Sequence, residues 1–288
     1  IEIRVSSTDF GQGTNVALAQ VVADAVGVPL AQVEVVPPDT AAVPDSGPTV
    51  ASRTVMIIGG VLARAGRTLR QRVADFAEEQ VELAGAGFAR VADAYLAANG
   101  ALEVEERFAP DSSESFDEET YRGTAYPAYG WGADVVELEV DPDTLAVKPE
   151  KIAMVCDVGK AIHPVLCQGQ VEGGSLQALG MAYLEELRMA DGKPLGDRLA
   201  TYIIPTTLDT PAMETVLLEN PSGIGPGGAK GVGELPADGA APALVQAIEN
   251  ATGIVPRGIP ATPERLLDDL CAGRTVAGAP EELALELS

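Results

Sequence analysis

Residues 7–29, STDFGQGTNVALAQVVADAVGVP, decide the fold of the opening region, because here the pattern of apolar residues changes from the alternation of a strand to the spacing of a helix. Residues 1–8 alternate as a short strand, and the glycine-rich turn DFGQGTN follows them. Residues 14–26 carry apolar side chains at helical spacing, and Gly27 and then Pro29 indicate where this helix ends. The chain is therefore predicted to open with a strand, a glycine turn and a helix.

Beyond this stretch, strands and helices mix without a regular strand–helix–strand period. The predicted elements of the first part are a strand at 33–36, a long helix from Ala51 to about Val81 and a helix across 88–98. Strands follow at ADVVELEVD (133–141) and KIAMVCDV (151–158), and then a helix from Gln168 to about Leu187. The last elements are a strand at TVLLEN (215–220) and a helix at APALVQAIENATG, which ends at Gly253. This mixture favours the α+β class over a parallel α/β sheet.

The acidic stretch 109–120, APDSSESFDEET, lacks periodicity. It is interpreted as a solvated linker, with an acidic docking segment as the alternative. The sequence is accordingly divided into two intimately associated α+β subdomains, 1–120 and 121–276, followed by an acidic C-terminal tail at 277–288. Ile1 begins directly in a strand-like pattern, as if the chain started within a fold.

Composition excludes several classes of function. With 46% hydrophobic residues the chain is globular, and it has neither a long apolar run nor a signal-peptide pattern. A net charge of −24 disfavours nucleic acid and anionic membranes as partners. Three cysteines without CxxC spacing fit a reducing cytoplasm and are too few to hold an iron–sulfur cluster. Because His163 is the only histidine, zinc sites and histidine-dependent nucleophiles are disfavoured.

The turn formed by Gly11, Gln12, Gly13 and Thr14 is the first of three stretches that suggest chemistry. Glycines let a backbone approach a ligand closely, and exposed amides at a helix N-terminus suit an anionic or carbonyl-rich group. A strand–glycine–helix turn is often nothing more than a turn, so this signal alone leaves both interpretations open.

The second and third stretches are GPTVASR (47–53) and GPGGAKGVGE (225–234). In the second, Thr49 or Ser52 could simply cap the helix that follows. The third is not a phosphate-binding Walker A loop, because glycine follows Lys230. Glu234, at its end, is either a surface carboxylate near a helix N-terminus or a general base held over a ligand by rigid backbone.

Taken together, six segments resemble, in order and spacing, the molybdopterin-binding half of the xanthine dehydrogenase and aldehyde oxidase family, the molybdenum hydroxylases. They are the opening STDFGQGTNVALAQVVADAVGVP, PPDTAAVPDSGPTVASRT, WGADVVELEVDPDT, DVGKAIHP, GQVEGGSLQALGMAYLEE and GPGGAKGVGELP. The resemblance covers roughly residues 1–265, so each weak motif is strengthened by the others. It implies the fold of the C-terminal half of that family's large subunit, as in a split-subunit member such as nicotinate dehydrogenase.

The resemblance also implies roles for particular residues. Glu234 matches the family's active-site glutamate. The residues expected to bind the cofactor are Gly11, Gln12, Gly13, Thr14, Thr49, Ala51, Ser52, Arg53, Asp157, Gln170, Lys230, Gly231, Val232 and Gly233. No side chain is expected to ligate molybdenum directly, since the pterin dithiolene holds it near Gln12, Ala51 and Glu234.

The activity implied by the resemblance is hydroxylation of an electron-poor carbon, in an N-heterocycle or an aldehyde, with oxygen derived from water and Glu234 as the base. The implied cofactor is molybdopterin with molybdenum, in its cytosine dinucleotide form. The implied partners are a second molybdopterin-binding subunit corresponding to the N-terminal half, an FAD subunit and a [2Fe-2S] subunit, in the cytoplasm.

The sequence departs from the family pattern in three respects. The preceding half of the large subunit is not part of it, which favours a natural split into two polypeptides, with a fragment as the alternative. His163 stands where asparagine is common, and Asp134 replaces a frequent histidine. His163 is therefore expected to be structural or to contact the cofactor, and Cys156 and Cys167 are expected to be buried thiols.

Two alternatives to an enzyme subunit are considered. A non-catalytic structural subunit would keep the fold without the metal, but it has no reason to retain the GQG and GVGE loops. A stand-alone nucleotide-binding protein would need a βαβ fingerprint with an acidic residue after the second strand, and the sequence has none.

Overall fold

A computed structural model describes residues 1–77, 85–109 and 116–276. The chain divides into two compact units, each built from three separate segments. Unit 1 consists of the described parts of Ile1–Gly130, Val158–Cys167 and Glu219–Gly231, and unit 2 of Trp131–Asp157, Gln168–Leu218 and the described part of Val232–Ser288. The predicted boundary between cofactor-binding subdomains at residue 120 stays a prediction, and the tail 277–288 lies outside the described residues.

Unit 1 is a helical layer beside a small parallel sheet. Its elements are β1 (Glu2–Ile3), α1 (Thr14–Val26), β2 (Glu34–Val35), a π-helical turn (Thr54–Ile58) that continues into α2 (Gly59–Phe76), α3 (Ala86–Asn99), and the short antiparallel pair β3 (Phe116–Asp117) and β4 (Arg122–Gly123). The core is apolar and comes from β1, α1, the π-helical turn, α2 and α3, with Leu18, Val26 and Phe88 among its buried members. Burying this face is the main stabilising contribution to the unit.

Unit 2 is built around a three-stranded sheet. Its elements are β5 (Gly132–Val140), β6 (Val147–Asp157), α4 (Pro164–Tyr183, whose first turn belongs to unit 1), the hairpin β7 (Met189–Ala190) and β8 (Lys193–Pro194), β9 (Ala212–Leu218), α5 (Pro236–Thr252) and α6 (Pro263–Cys271). The strand order is β5-β6-β9, with β5 antiparallel and β9 parallel to the central β6. Helix α5 packs on β5, so the residues before α5 are placed beside the sheet.

The predicted α+β class is confirmed, and most elements form where periodicity places them. Helix α1 ends at Gly27 in a left-handed conformation (φ 79°), and α5 ends at Gly253 in the same way (φ 73°). The helix predicted from Ala51 begins later, at the π-helical turn, because Ala51 and Ser52 have positive φ and form a turn. Its predicted end near Val81 falls outside the described residues.

Two other predicted elements are shifted along the chain. Helix α4 begins at Pro164 rather than at Gln168, because proline favours the first helical position, and it ends at Tyr183 rather than near Leu187. The predicted strand 215–220 is β9, which begins earlier and ends at Leu218. Within the described part of the chain, no helix has both the length and the apolar character needed to cross a bilayer.

Candidate functional site

The GQG turn at the start of α1 is organised around an acidic side chain of its own. The N–H groups of Gly11 and Asn15 each donate to the Asp9 carboxylate at 3.0 Å, and that of Gly13 donates at 3.4 Å. Burial opposes ionisation of Asp9, but the three amides outweigh it and lower the pKa of this carboxyl. The amides of Gly11 and Gly13 are therefore engaged by an anion of the chain itself, which corrects the expectation that they are open to an external anion.

The side chain of Gln12 is also engaged within its own loop. Its Nε2 donates to the Thr8 carbonyl at 2.8 Å and contacts Thr14 Oγ1 at 2.9 Å, while its Oε1 accepts from the Phe10 N–H at 2.8 Å. The Thr8 N–H donates to Thr49 Oγ1 at 2.9 Å, which joins this loop to the second predicted loop. The first loop is thus internally rigid and attached to its neighbour.

In the second loop, residues 47–53, an arginine side chain stabilises a strained backbone. Ala51 (φ 55°) and Ser52 (φ 51°) are consecutive non-glycine residues in the left-handed region, which costs about 1–3 kcal/mol for each residue. Arg53 Nη1 donates to the carbonyls of Ser46 at 3.0 Å and Pro48 at 3.1 Å, and so closes the loop on itself. Strain that the surroundings maintain in this way is a feature of ligand-binding loops.

The third loop, which ends at Gly231, approaches the second so closely that only glycine fits. A Cβ at Gly231 would lie 2.8 Å from Ser52 Cβ and 3.1 Å from the Ser52 carbonyl carbon. The same loop is held to the segment after β6, where the Lys230 N–H donates to the Val158 carbonyl at 2.9 Å. A Cβ at Gly159 would lie 3.1 Å from the Lys230 nitrogen, so this contact also depends on glycine.

Unit 1 therefore brings together three of the predicted loops, and what they expose suits an organic cofactor. Gly11 is exposed with φ 122°, and nothing lies within 4 Å of the position that a Cβ there would occupy. Ala51 is exposed as well. Across the described ranges, no three histidine, cysteine, aspartate or glutamate side chains are grouped as metal ligands. The loops fit a ligand that is held through backbone and small side chains.

Glu234 lies in unit 2, two residues before the first residue of α5, with an exposed side chain. The turn that carries it is held from two sides. From β5, Gly132 packs beside the Leu235 side chain, and a Cβ at Gly132 would be in ordinary van der Waals contact with Leu235 Cδ1 at 3.4 Å. From α4, the buried Ser175 hydroxyl donates to the Pro236 carbonyl at 3.2 Å. An exposed carboxylate on a turn fixed in this way can accept a proton without reorganising the backbone.

The remaining predicted site residues are also in unit 2. Asp157 ends β6 and is buried, and its N–H donates to the Trp131 carbonyl at 2.7 Å. Gln170 is half-buried on α4, and Val232 and Gly233 lead into the turn that carries Glu234. Their contacts with a cofactor stay predictions.

His163 and two cysteines have structural environments. His163 Nδ1 accepts the Leu166 N–H at 3.2 Å, so the only imidazole caps the N-terminus of α4. Cys156 is buried, and burial raises the pKa of the half-buried Cys167 thiol to about 11. A thiol with such a pKa is almost entirely protonated at neutral pH, so Cys167 is not a nucleophile.

Two acidic residues that shape the loops were not singled out by the sequence reasoning. One is Asp9, whose signal is the Asp-x-Gly spacing typical of a side chain that accepts the N–H two residues ahead. The other is Glu219, which accepts the Ala161 N–H at 3.1 Å and the Lys160 ammonium at 3.2 Å. Both contacts lower the pKa of Glu219, the backbone contact most. No local pattern indicates this pairing, because its partners are 58 and 59 residues apart.

These features define a domain with rigid, glycine-dependent loops at the ends of its helices and strands, and comparison with known proteins identifies its family. Residues 1–211 match the model of the molybdopterin cofactor-binding domain. The chain belongs to the molybdopterin cofactor-binding domain family, within the molybdenum-binding subunits of xanthine dehydrogenase type.

Three relatives show how far the likeness extends. The nicotine 6-hydroxylase large subunit of Paenarthrobacter nicotinovorans is 32% identical over 276 residues, which cover 89% of this chain and 34% of that protein. The aldehyde oxidoreductase molybdenum-binding subunit PaoC of Escherichia coli K12 is 32% identical over 281 residues, or 94% and 37% of the two chains. The solved aldehyde oxidoreductase of Desulfovibrio gigas superposes with a TM-score of 0.84 at 25% identity, covering 94% of this chain and 29% of that one. The chain thus spans about a third of the length of its relatives.

Proposed function

We propose that this chain is the part of a molybdenum hydroxylase that binds the molybdopterin cofactor and supplies the catalytic base, Glu234. The reaction proposed is hydroxylation of an electron-poor carbon in an N-heterocycle or an aldehyde, with oxygen derived from water. The observation that carries the proposal is the meeting of three family-like loops in unit 1, through the Thr8–Thr49 hydrogen bond and the close approach of Gly231 to Ser52.

The cofactor proposed is molybdopterin with molybdenum, in its cytosine dinucleotide form. The residues that would hold it are the exposed Gly11 and Ala51 of the first two loops, with the half-buried Gln12 and Thr49 beside them, together with the third loop at Gly231. When bound, the cofactor supplies a Lewis acid and a two-electron acceptor. The chain's own part is to present rigid donors and acceptors, because loops that do not move on binding lose no conformational entropy there.

Glu234 is proposed to accept a proton at its carboxylate as the water-derived oxygen becomes a nucleophile. Its side chain is exposed, and the Ser175 hydroxyl donates to the carbonyl of Pro236, two residues after Glu234. Glu234 follows Gly231 by three residues, so the chain itself keeps the two Cα atoms within about 11 Å. This nearness in sequence to a predicted cofactor loop supports the proposed role of Glu234.

The proposed partners are a second molybdopterin-binding subunit, an FAD subunit and a [2Fe-2S] subunit. Two of the relatives are named as subunits: the nicotine 6-hydroxylase large subunit and the molybdenum-binding subunit of an aldehyde oxidoreductase. The described cysteines support placing the clusters in another chain, since only Cys156, Cys167 and Cys271 are present and Cys156 is buried.

The alternative function is that of a structural subunit which keeps the fold without metal or catalysis. Metal content of the protein purified with its natural partner chains separates the two proposals. The enzyme proposal expects molybdenum at about one atom per copy of this chain, measured by inductively coupled plasma mass spectrometry. A metal content near zero, in protein whose partner chains are present, would contradict it.

The role of Glu234 is tested by Glu234→Gln in the same assembly. Turnover with a panel of aldehydes and N-heterocycles and an electron-accepting dye should fall by about 10²-fold or more, while molybdenum content stays at the wild-type level. The matched control is Glu137→Gln, which removes an exposed carboxylate from β5 of the same unit. Wild-type turnover in Glu234→Gln would show that another group is the base.

A further inference from the structure

A segment of unit 1, residues 101–107, lies along helix α2 without belonging to a sheet. Two arginines of α2 hold its backbone: Arg72 Nη1 donates to the Glu103 carbonyl at 3.3 Å, and Arg64 Nη2 donates to the Arg107 carbonyl at 3.1 Å. The eight helical residues that separate the arginines rise about 12 Å. Four residues of extended chain span about 13 Å. Because the two lengths agree, the segment is extended and runs antiparallel to α2.

The exposure of the side chains in this segment has the period of a strand. Every second residue is exposed and the residues between them are half-buried; the exposed ones are Ala101, Glu103, Glu105 and Arg107, and the half-buried ones are Leu102, Val104 and Glu106. Leu102 packs against the apolar core of unit 1. Since successive side chains of a strand point to opposite faces, the segment has one inner and one outer face.

The two backbone edges of this segment differ. In an extended chain, the N–H and C=O of one residue point to one edge, and those of the next residue point to the other. The carbonyls of Glu103 and Arg107 lie on the same edge, where the arginines of α2 bind them. The other edge carries the backbone groups of Leu102, Val104 and Glu106, which form no hydrogen bond with any part of the chain that the structure describes. A row of unpaired N–H and C=O groups is a template for pairing with another strand.

We propose that the open edge of residues 101–107 receives a β-strand from the partner chain that carries the rest of the large subunit. This inference rests on the proposed function, which makes the chain one part of a larger assembly. The chain spans about a third of the length of its relatives, so ample polypeptide lies outside it to supply such a strand. When a strand is added to an open edge, main-chain hydrogen bonds provide the affinity and the alternate side chains provide the specificity.

Charge decides between a strand of the partner chain and a second copy of this chain. Glu103 and Glu105 have arginine partners at the surface, whereas Glu106 forms no ion pair with any residue that the structure describes. A second copy would bring the same three glutamates and a net charge of −24, and like charges that face each other destabilise a pair of strands. The strand from the partner chain carries instead a lysine or arginine beside Glu106 and an apolar residue beside Val104.

The first test is hydrogen–deuterium exchange at single-residue resolution, in the protein purified with its natural partner chains. After correction for intrinsic rates, the amides of Leu102, Val104 and Glu106 should exchange about ten times more slowly than those of Glu103 and Glu105, or slower still. Glu103 and Glu105 are the internal control, because their N–H groups point to the edge bound by arginines, which donate hydrogen bonds and do not accept them. Equal exchange in the two sets would overturn the inference.

The second test places a proline on one edge at a time. Glu106→Pro removes an N–H from the open edge and tolerates the extended backbone, so it should raise the Kd of the assembly, measured by dilution and mass photometry, about 10-fold. Glu105→Pro removes an N–H from the other edge, and Glu106→Gln removes the same charge but keeps the N–H. Each of these controls should change the Kd by no more than about 3-fold. Equal effects of the two proline variants would contradict the inference.

A photo-crosslinker identifies the strand that is bound. The crosslinking amino acid p-benzoylphenylalanine, placed at the exposed Glu105, should capture a peptide of the partner chain, and capture of a peptide of this chain would show that a second copy is bound instead. The two proposals fail separately. An assembly without molybdenum refutes the enzyme proposal whatever the amides do, whereas a molybdenum-containing assembly with equal exchange in the two sets of amides refutes only the strand pairing.

Discussion

Replacing Asp9 removes the anion around which the first loop is built. Its carboxylate accepts two amides at 3.0 Å and a third at 3.4 Å, and it lies at the positive end of α1. A lost charged cap of this kind costs about 2 kcal/mol, so Asp9→Ala should destabilise the chain by that amount. Asp9→Asn keeps one acceptor and loses the charge, so about 1 kcal/mol is expected.

The assay is the thermal unfolding midpoint of the purified protein at neutral pH. At about 2 °C per kcal/mol for a chain of this size, Asp9→Ala should lower the midpoint by about 4 °C and Asp9→Asn by about 2 °C. Because the pKa of folded Asp9 is lowered, the stabilisation is present above the ordinary carboxyl pKa and is lost as the pH falls through the lowered value. The difference between Asp9→Asn and wild type should therefore close in acid.

Asp24→Asn provides a control with the same change of charge on the same helix. Asp24 is exposed in the last turn of α1, where an acidic side chain gains nothing from the helix dipole. Its replacement should leave the midpoint unchanged or slightly raise it. If Asp9→Asn behaves like Asp24→Asn at neutral pH, the three amide contacts do not stabilise the loop and the account of this turn is wrong.

Two further results are expected. Gly231→Ala should force the third loop away from Ser52, lower the free energy of unfolding by about 1–3 kcal/mol and reduce the amount of bound molybdenum. The control Gly223→Ala, with nothing within 4 Å of the added Cβ, should change neither the unfolding midpoint nor the metal content. Equal behaviour of the two variants would show that the third loop does not depend on the close approach of Gly231 to Ser52. At pH 8, iodoacetamide should alkylate the exposed Cys271 and leave Cys167 unmodified, because the pKa of Cys167 is about 11. Peptide mass spectrometry measures the labelling of each cysteine. Rapid labelling of Cys167 would contradict its raised pKa.

The elements that the sequence predicts well are those with local stop signals and a clear period. Helices α1 and α5 end where Gly27 and Gly253 adopt left-handed backbone, which is a property of glycine itself. The start of α2 could not be predicted in the same way, because Ala51 and Ser52 are held at positive φ by contacts such as those of Arg53 rather than by their own preference. The parallel pairing of β6 with β9 likewise depends on contacts between residues about 60 positions apart, such as Lys151 with Ala212.

For the candidate site, the sequence motifs predict where the loops lie, but they do not predict which hydrogen bonds the polar groups of these loops form. The GQG and GPTVASR segments do adjoin, through Thr8 and Thr49. The occupation of the amides by Asp9 depends on the rotamer of a side chain that the motif does not include. The approach of the Asp134 side chain to Gly239 could not be predicted from the sequence, since the two residues are more than a hundred positions apart.

The division of the chain into interleaved segments has a consequence for its synthesis. The backbone passes between the two units after residues 130, 157, 167, 218 and 231. Unit 1 therefore cannot be completed on the ribosome until Gly231 has emerged, by which time most of unit 2 has already been made. Early segments must wait for distant partners, which slows folding and exposes unpaired apolar surface to aggregation. No single cleavage yields either unit, so neither can be obtained by simple truncation. A chaperone that shields residues 1–130 during synthesis should raise the yield of folded protein.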